Sequence, residues 1–251
     1  MLPIFYKRVR LLFVISLAVL TSSNLKAMTL PANSIELIHG DGTPTHSIIW
    51  LHGLGASAND FPPVVPELGL DKGRTIRFIF PQAPNRPITI NGGMSMPGWY
   101  DIKGVTIEDK QDAVGMSQSQ AMLDGLIEAQ IEAGIPSKNI ILAGFSQGGA
   151  VTYFTGVRSK HTLAGLLTMS TYLPFDENTQ EQASLENKST PIFASHGTFD
   201  AVVPIDMGKR SVDVLEQLGY SITWKTYPME HQVAMEQILD IGNWINQVFN
   251  D

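Results

Sequence analysis

From residue 34 to residue 248, short apolar runs alternate with longer segments whose apolar residues recur at helical spacing. Seven runs read as strands: 34–39, 47–52, 75–80, 139–144, 163–169, 191–196 and 222–227. Most are apolar at consecutive positions, as in parallel strands covered on both faces. Four segments read as helices: 110–134, 147–159, 206–218 and 232–248. Within 112–133, Met116, Met122, Leu123, Leu126, Ile127 and Ile131 form one apolar stripe with acids and glutamines between them. That is a helix with a single buried face. The alternation predicts an α/β fold with a mostly parallel central sheet and helices on both faces.

One stretch fits neither pattern. Residues 81–108 hold Pro81, Pro84, Pro87, Gly92 and Gly93 in their first half and keep no period. Long structureless connections in compact domains are uncommon and usually functional. The connection 171–190 is polar except for Tyr172, Leu173 and Phe175. It is too short for a large lid domain.

The N-terminus stands apart from this pattern. Lys7, Arg8 and Arg10 precede an apolar run at 11–20 and a polar stretch ending near Ala27. That layout is expected of a cleaved export signal, and the run falls short of the roughly 20 residues that span a bilayer. Cleavage would leave a periplasmic or secreted protein; translation from Met28 would leave a cytoplasmic one. Residues 28–251 are expected to form one domain, a usual size for α/β proteins.

Composition narrows the function. The chain has no cysteine, which excludes disulfides, thiolate catalysis and Cys-ligated metal centres. Its net charge is −7, and residues 1–27 carry four cations and no acid, so residues 28–251 carry −11. A surface that acidic is unsuited to nucleic acid or to stable insertion in anionic membranes. No internal repeat is present. A homodimer is compatible with the sequence and not derivable from it.

Residues 144–148 read Gly-Phe-Ser-Gln-Gly. Alone, this pentapeptide also fits a glycine-rich loop with a helix-capping serine. Here a predicted strand precedes it and a predicted helix follows, the setting of a nucleophile elbow. Glycine at both flanks relieves a turn too sharp for side chains. Ser146 is therefore the candidate nucleophile.

A serine hydroxyl needs a base, and hydrolase folds of this kind order the partners Ser, Asp or Glu, then His. Of six histidines, His161, His196 and His231 follow Ser146. No acid separates Ser146 from His161, and His196 sits where the acid itself is expected, at the end of a strand. His231 remains, after the strand 222–227. Asp200, just beyond the strand 191–196, is the best-placed acid. Asp206 and Asp213 fall within the next helix. The oxyanion needs two backbone N–H groups. Gln147 supplies one beside the nucleophile, and Leu54, in the loop His52-Gly53-Leu54-Gly55, supplies the other. His52 is read as structural.

Together, Leu51-His52-Gly53-Leu54-Gly55, Phe80-Pro81-Gln82-Ala83-Pro84, Met96-Pro97-Gly98-Trp99-Tyr100-Asp101, Gly144 to Ala150, His196-Gly197 with Asp200, and Tyr227-Pro228-Met229 with His231 resemble the carboxylesterase and acyl-protein thioesterase family. This is the phospholipase/carboxylesterase group of the α/β-hydrolases, and the resemblance spans roughly residues 34–248. It implies Ser146, Asp200 and His231 as the triad, Leu54 and Gln147 as oxyanion donors, and no cofactor or metal. The chain departs from many relatives at Ala56-Ser57-Ala58, where they carry an acid, and at Gly98, where some carry serine. An export signal is also unusual in this group.

The expected activity is hydrolysis of small carboxylic esters with short to medium acyl groups, through an acyl-enzyme. Met94, Met96, Trp99 and Tyr100 of the irregular segment and Leu173 of the later connection are expected to contact the substrate, since methionine and aromatic residues adapt to acyl groups. Acyl-protein thioesterase or lysophospholipase activity uses the same machinery. A catalytically silent hydrolase fold used for binding is the reading from another class.

Overall fold

The computed structural model describes residues 30–104 and 110–250. The expected export signal, residues 1–27, lies outside them. All seven predicted strands form one sheet: β1 (Ile35–His39), β2 (His46–Leu51), β3 (Ile76–Phe80), β6 (Ile140–Phe145), β7 (Gly165–Met169), β8 (Ile192–Gly197) and β9 (Ile222–Tyr227). Their order is β1-β3-β2-β6-β7-β8-β9. β1 pairs antiparallel with β3, and every other pair is parallel. β6 therefore lies in the middle of the sheet, and the carboxyl ends of six strands share one edge.

Consecutive residues of the inner strands enter two different cores. Ile49, Leu51, Leu142, Leu166 and Ile192 pack with α1 (Ala113–Glu132), α2 (Gln147–Gly156) and α4 (Ile205–Gln217). Ile48, Trp50, Ile141, Leu167 and Phe193 pack with α5 (Met235–Val248) and a 3₁₀ turn at Pro62–Leu68. This double burial is why the strands read as continuous apolar runs. The predicted stripe on α1 faces the first core: Met116, Leu123, Leu126 and Ile127 lie within it, and Met122 and Ile131 pack against its margin.

Three elements depart from the sequence reading. The irregular segment contains a hairpin, β4 (Asn85–Ile88) paired antiparallel with β5 (Met94–Pro97). The connection after β7 carries one short helix, α3 (Asp176–Gln182), and no lid domain among the described residues. Helix α5 begins at Met235, so His231 stands in the loop before it. Gln237 marks that start by accepting from the Ala234 N–H at 3.3 Å and donating to Ser195 Oγ at 2.8 Å.

Candidate active site

The turn between β6 and α2 determines where Ser146 stands. Its φ of 54° and ψ of −121° lie in a sparsely populated region for a residue with a side chain. Such a conformation costs about 1–3 kcal/mol and persists only where its surroundings enforce it. The two flanking glycines do so. A Cβ on Gly144 would come within 2.4 Å of the Gly148 carbonyl. A Cβ on Gly148 would come within 2.5 Å of the His52 carbonyl oxygen. The Ser146 N–H donates to Met169 O at 2.9 Å, and its carbonyl accepts from Thr171 Oγ1 at 2.7 Å. Ser146 is the N-cap of α2, yet its side chain makes no capping hydrogen bond. The bland reading of a helix-capping serine is not realised.

Instead the hydroxyl faces His231. His231 Nε2 lies 2.9 Å from Ser146 Oγ, and Nδ1 lies 2.7 Å from Asp200 Oδ2. A carboxylate oxygen only accepts, so Nδ1 carries the proton and Nε2 is left to accept from the serine. The other oxygen of Asp200 accepts from the N–H groups of Val202 and Val203, each at 2.9 Å. With its side chain fully buried, this carboxylate is fixed on both oxygens.

The two neighbouring histidines make shorter bonds elsewhere, although His196 Nε2 also lies 3.5 Å from Asp200 Oδ2. His52 Nδ1 donates to Gly53 O at 2.7 Å, and Nε2 accepts from the Ala83 N–H at 3.2 Å. His196 Nε2 donates to Val203 O at 2.8 Å. Burial lowers the pKa of both rings and favours their neutral forms. Each braces a loop beside the site.

A cavity of about 620 Å³ opens over Ser146 and His231, a normal size for a small-molecule site. Leu54 and Gln147 both line it, as expected of oxyanion donors. Of the five residues expected to contact substrate, Tyr100 lines the cavity, and Met94, Met96, Trp99 and Leu173 are not among its lining residues. Each has a physical reason. Met94, at the start of β5, is 64% exposed. Met96 packs towards Gly55 and accepts from Asn91 Nδ2. Trp99 is 0% exposed, and its indole N–H donates to His52 O at 2.7 Å. Leu173 is buried in the first core.

Gln147 ties the two walls together. Its side-chain oxygen accepts from Trp99 N at 2.8 Å, and its amide nitrogen donates to Tyr100 O at 2.7 Å. The wall itself includes residues the sequence reading did not select, among them Phe61, Ile102, Phe145, Tyr172 and Val203. The Val203 signal was available in its adjacency to Asp200. Phe145, at the end of β6, was likewise available in its adjacency to Ser146, whereas Phe61, Ile102 and Tyr172 come from separate connections that nothing in their local pattern joins.

Comparison with known proteins agrees with this architecture. Residues 32–249 match the family model described as Phospholipase/Carboxylesterase. The acyl-protein thioesterase 1 of Yarrowia lipolytica is 36% identical over 208 residues, 81% of this chain and 92% of that protein. The acyl-protein thioesterase 1 of Neurospora crassa is 37% identical over 215 residues, 81% of this chain and 86% of that protein. Among solved structures, Arabidopsis thaliana SOBER1 superposes with a TM-score of 0.76 at 29% identity, covering 81% of this chain and 98% of that one. Zea mays acyl-protein thioesterase 2 superposes with a TM-score of 0.75 at 26% identity, covering 86% of this chain and 98% of that one. The strained serine turn at the centre of a mostly parallel sheet thus has its place: this chain belongs to the phospholipase/carboxylesterase family of α/β-hydrolase enzymes.

Proposed function

We propose that the chain is a serine carboxylesterase that cleaves short to medium acyl esters through Ser146, His231 and Asp200. One observation carries the reading: a single imidazole within hydrogen-bond reach of both the Ser146 hydroxyl and the Asp200 carboxylate. His231 takes the serine proton as Ser146 Oγ attacks the ester carbonyl. The N–H groups of Leu54 and Gln147 receive the oxyanion, each worth about 10²–10³ in rate. The imidazolium returns its proton to the departing alcohol, and water then attacks the acyl-enzyme with His231 again as base. Asp200 holds the tautomer throughout. The acyl-length preference is supported by the short connection after β7, which carries α3 and no lid domain among the described residues.

Labelling with a fluorophosphonate probe tests the nucleophile. Wild type becomes labelled, and Ser146→Ala stays dark and loses about 10⁴-fold or more in ester turnover. An unlabelled wild type overturns the reading and leaves a silent hydrolase fold. A series of nitrophenyl esters tests acyl length, and a maximum at long acyl groups alone contradicts the preference.

Hydrolysis of protein thioesters is the second reading, favoured by the names of the Yarrowia lipolytica and Neurospora crassa relatives. Comparing kcat/KM on a thioester, a lysolipid and a small ester decides between the two.

A further inference from the structure

We propose that Asp60, with the ring of Phe145, forms a cation-selective subsite for the leaving group, so that alcohols carrying a quaternary ammonium are preferred. The proposal rests on the serine-esterase reading above and names its substrate class.

The cavity lining falls into two contact groups. In one, the hydroxyls of Tyr100 and Tyr172 meet at 2.6 Å. In the other, the Phe145 ring lies 4.8 Å from the His231 ring and 6.1 Å from the Phe61 ring. His231 must hand its proton to the leaving oxygen, so the leaving group departs on the side of this second group. Asp60 precedes Phe61 and also lines the cavity. Among the described lining residues Asp60 alone bears a fixed charge.

Asp60 is exposed, and its Oδ1 accepts from the N–H and hydroxyl of Ser57 at 3.3 and 3.2 Å. Neither contact neutralises the carboxylate. A carboxylate in a cavity that the Phe145 ring also lines suits a weakly hydrated, methylated ammonium, which gains from both the charge and the ring. A primary ammonium gives up more hydration to reach the same place.

The test compares butyrylcholine with 3,3-dimethylbutyl butyrate, in which carbon replaces the charged nitrogen. Wild type is expected to favour the choline ester by about threefold to tenfold in kcat/KM, the range for one exposed ion pair and one cation–π contact. The preference should shrink as salt is raised. In Asp60→Asn the ratio should fall by about twofold to fivefold, the share of the ion pair, leaving that of the ring contact. A ratio near one in wild type, or a ratio unchanged in Asp60→Asn, overturns the proposal. So does a loss shared equally by both esters, since Asp60 would then only brace the Ser57 turn. An S-acyl cysteine peptide with an adjacent lysine, against its norleucine counterpart, places the cation on a protein. A lysine preference there without a choline preference overturns the choice of ligand. Inertness towards both esters with Ser146 still labelled by fluorophosphonate sinks the subsite and spares the serine-hydrolase reading. An inert and unlabelled enzyme sinks both.

Discussion

Around Ser146 the chain is held by backbone against backbone, with Gly144 and Gly148 seated where no side chain fits. The facing wall, residues 85–100, is held differently. Its hairpin strands pair mainly with each other, and Trp99 and Tyr100 are tied to the elbow through the Gln147 amide. Contacts between backbones leave no rotamer to relax, so they fix the nucleophile tightly. A tether made largely by side chains, the Gln147 amide and the Trp99 indole, is easier to lose and easier to vary. The nucleophile thus stands on the rigid wall, and Asn91 and Tyr100 of the cavity lining stand on the adjustable one.

Substitutions on the two walls should differ in kind. The largest effect is expected from Gly148→Ala, whose new methyl would lie 2.5 Å from the His52 oxygen and 2.6 Å from the Leu51 oxygen. Neither backbone group can swing aside, so a loss of about 3 kcal/mol or more is expected. A variant melting within a few degrees of wild type would break the contrast. Gln147→Leu should come next, leaving the Trp99 N–H and Tyr100 carbonyl unpartnered at a cost of about 2–4 kcal/mol. Gln147→Glu sharpens the point: only its protonated form can both accept from Trp99 and donate to Tyr100, so its loss should grow as pH rises and the carboxyl must ionise against the Tyr100 carbonyl. Equal denaturation midpoints for these two variants at every pH would show that the tether is not read through its hydrogen bonds.

A smaller effect comes from the bracing histidines. His52 and His196 have folded pKa values depressed below the ordinary 6.5, first by burial. Below pH 6.5 the unfolded chain therefore binds protons that the folded one resists. Their contribution to stability is full above 6.5 and is lost as pH falls through the depressed values. Melting temperature should decline from pH 7 to pH 5, with a shallower slope in His196→Gln. A slope unchanged by that substitution would remove His196 from the account. The smallest effect belongs to Met94→Ser on the exposed hairpin, expected within about 0.5 kcal/mol of wild type by urea titration.

What the sequence made legible follows the same division. The sheet strands are apolar at consecutive positions because both faces are covered, and α1 shows its stripe because only one face is. Ser146, Asp200 and His231 could be placed because a strand–turn–helix motif and a fixed chain order constrain them. The hairpin escaped notice because Asn85, Arg86 and Pro87 give no alternation and mostly face outward. α3 is not legible because seven polar residues with only Thr179 buried present no stripe. The sequence points Trp99 to the cavity because an aromatic residue in a loop reads the same whether it meets substrate or supports the loop from beneath. Only its hydrogen bonds to Gln147 and His52 separate the two.

The run Ile48-Ile49-Trp50-Leu51 has a further consequence. Each residue is apolar, so sliding β2 by one position would exchange its contributions to the two layers and keep both oily. Hydrophobicity alone offers little resistance to that misalignment. What opposes it stands at the two ends of the run, where buried Ser47 donates to Arg77 O at 3.0 Å and buried His52 bonds Gly53 O and the Ala83 N–H. A slip would strand both polar groups, so these two residues peg an otherwise interchangeable strand.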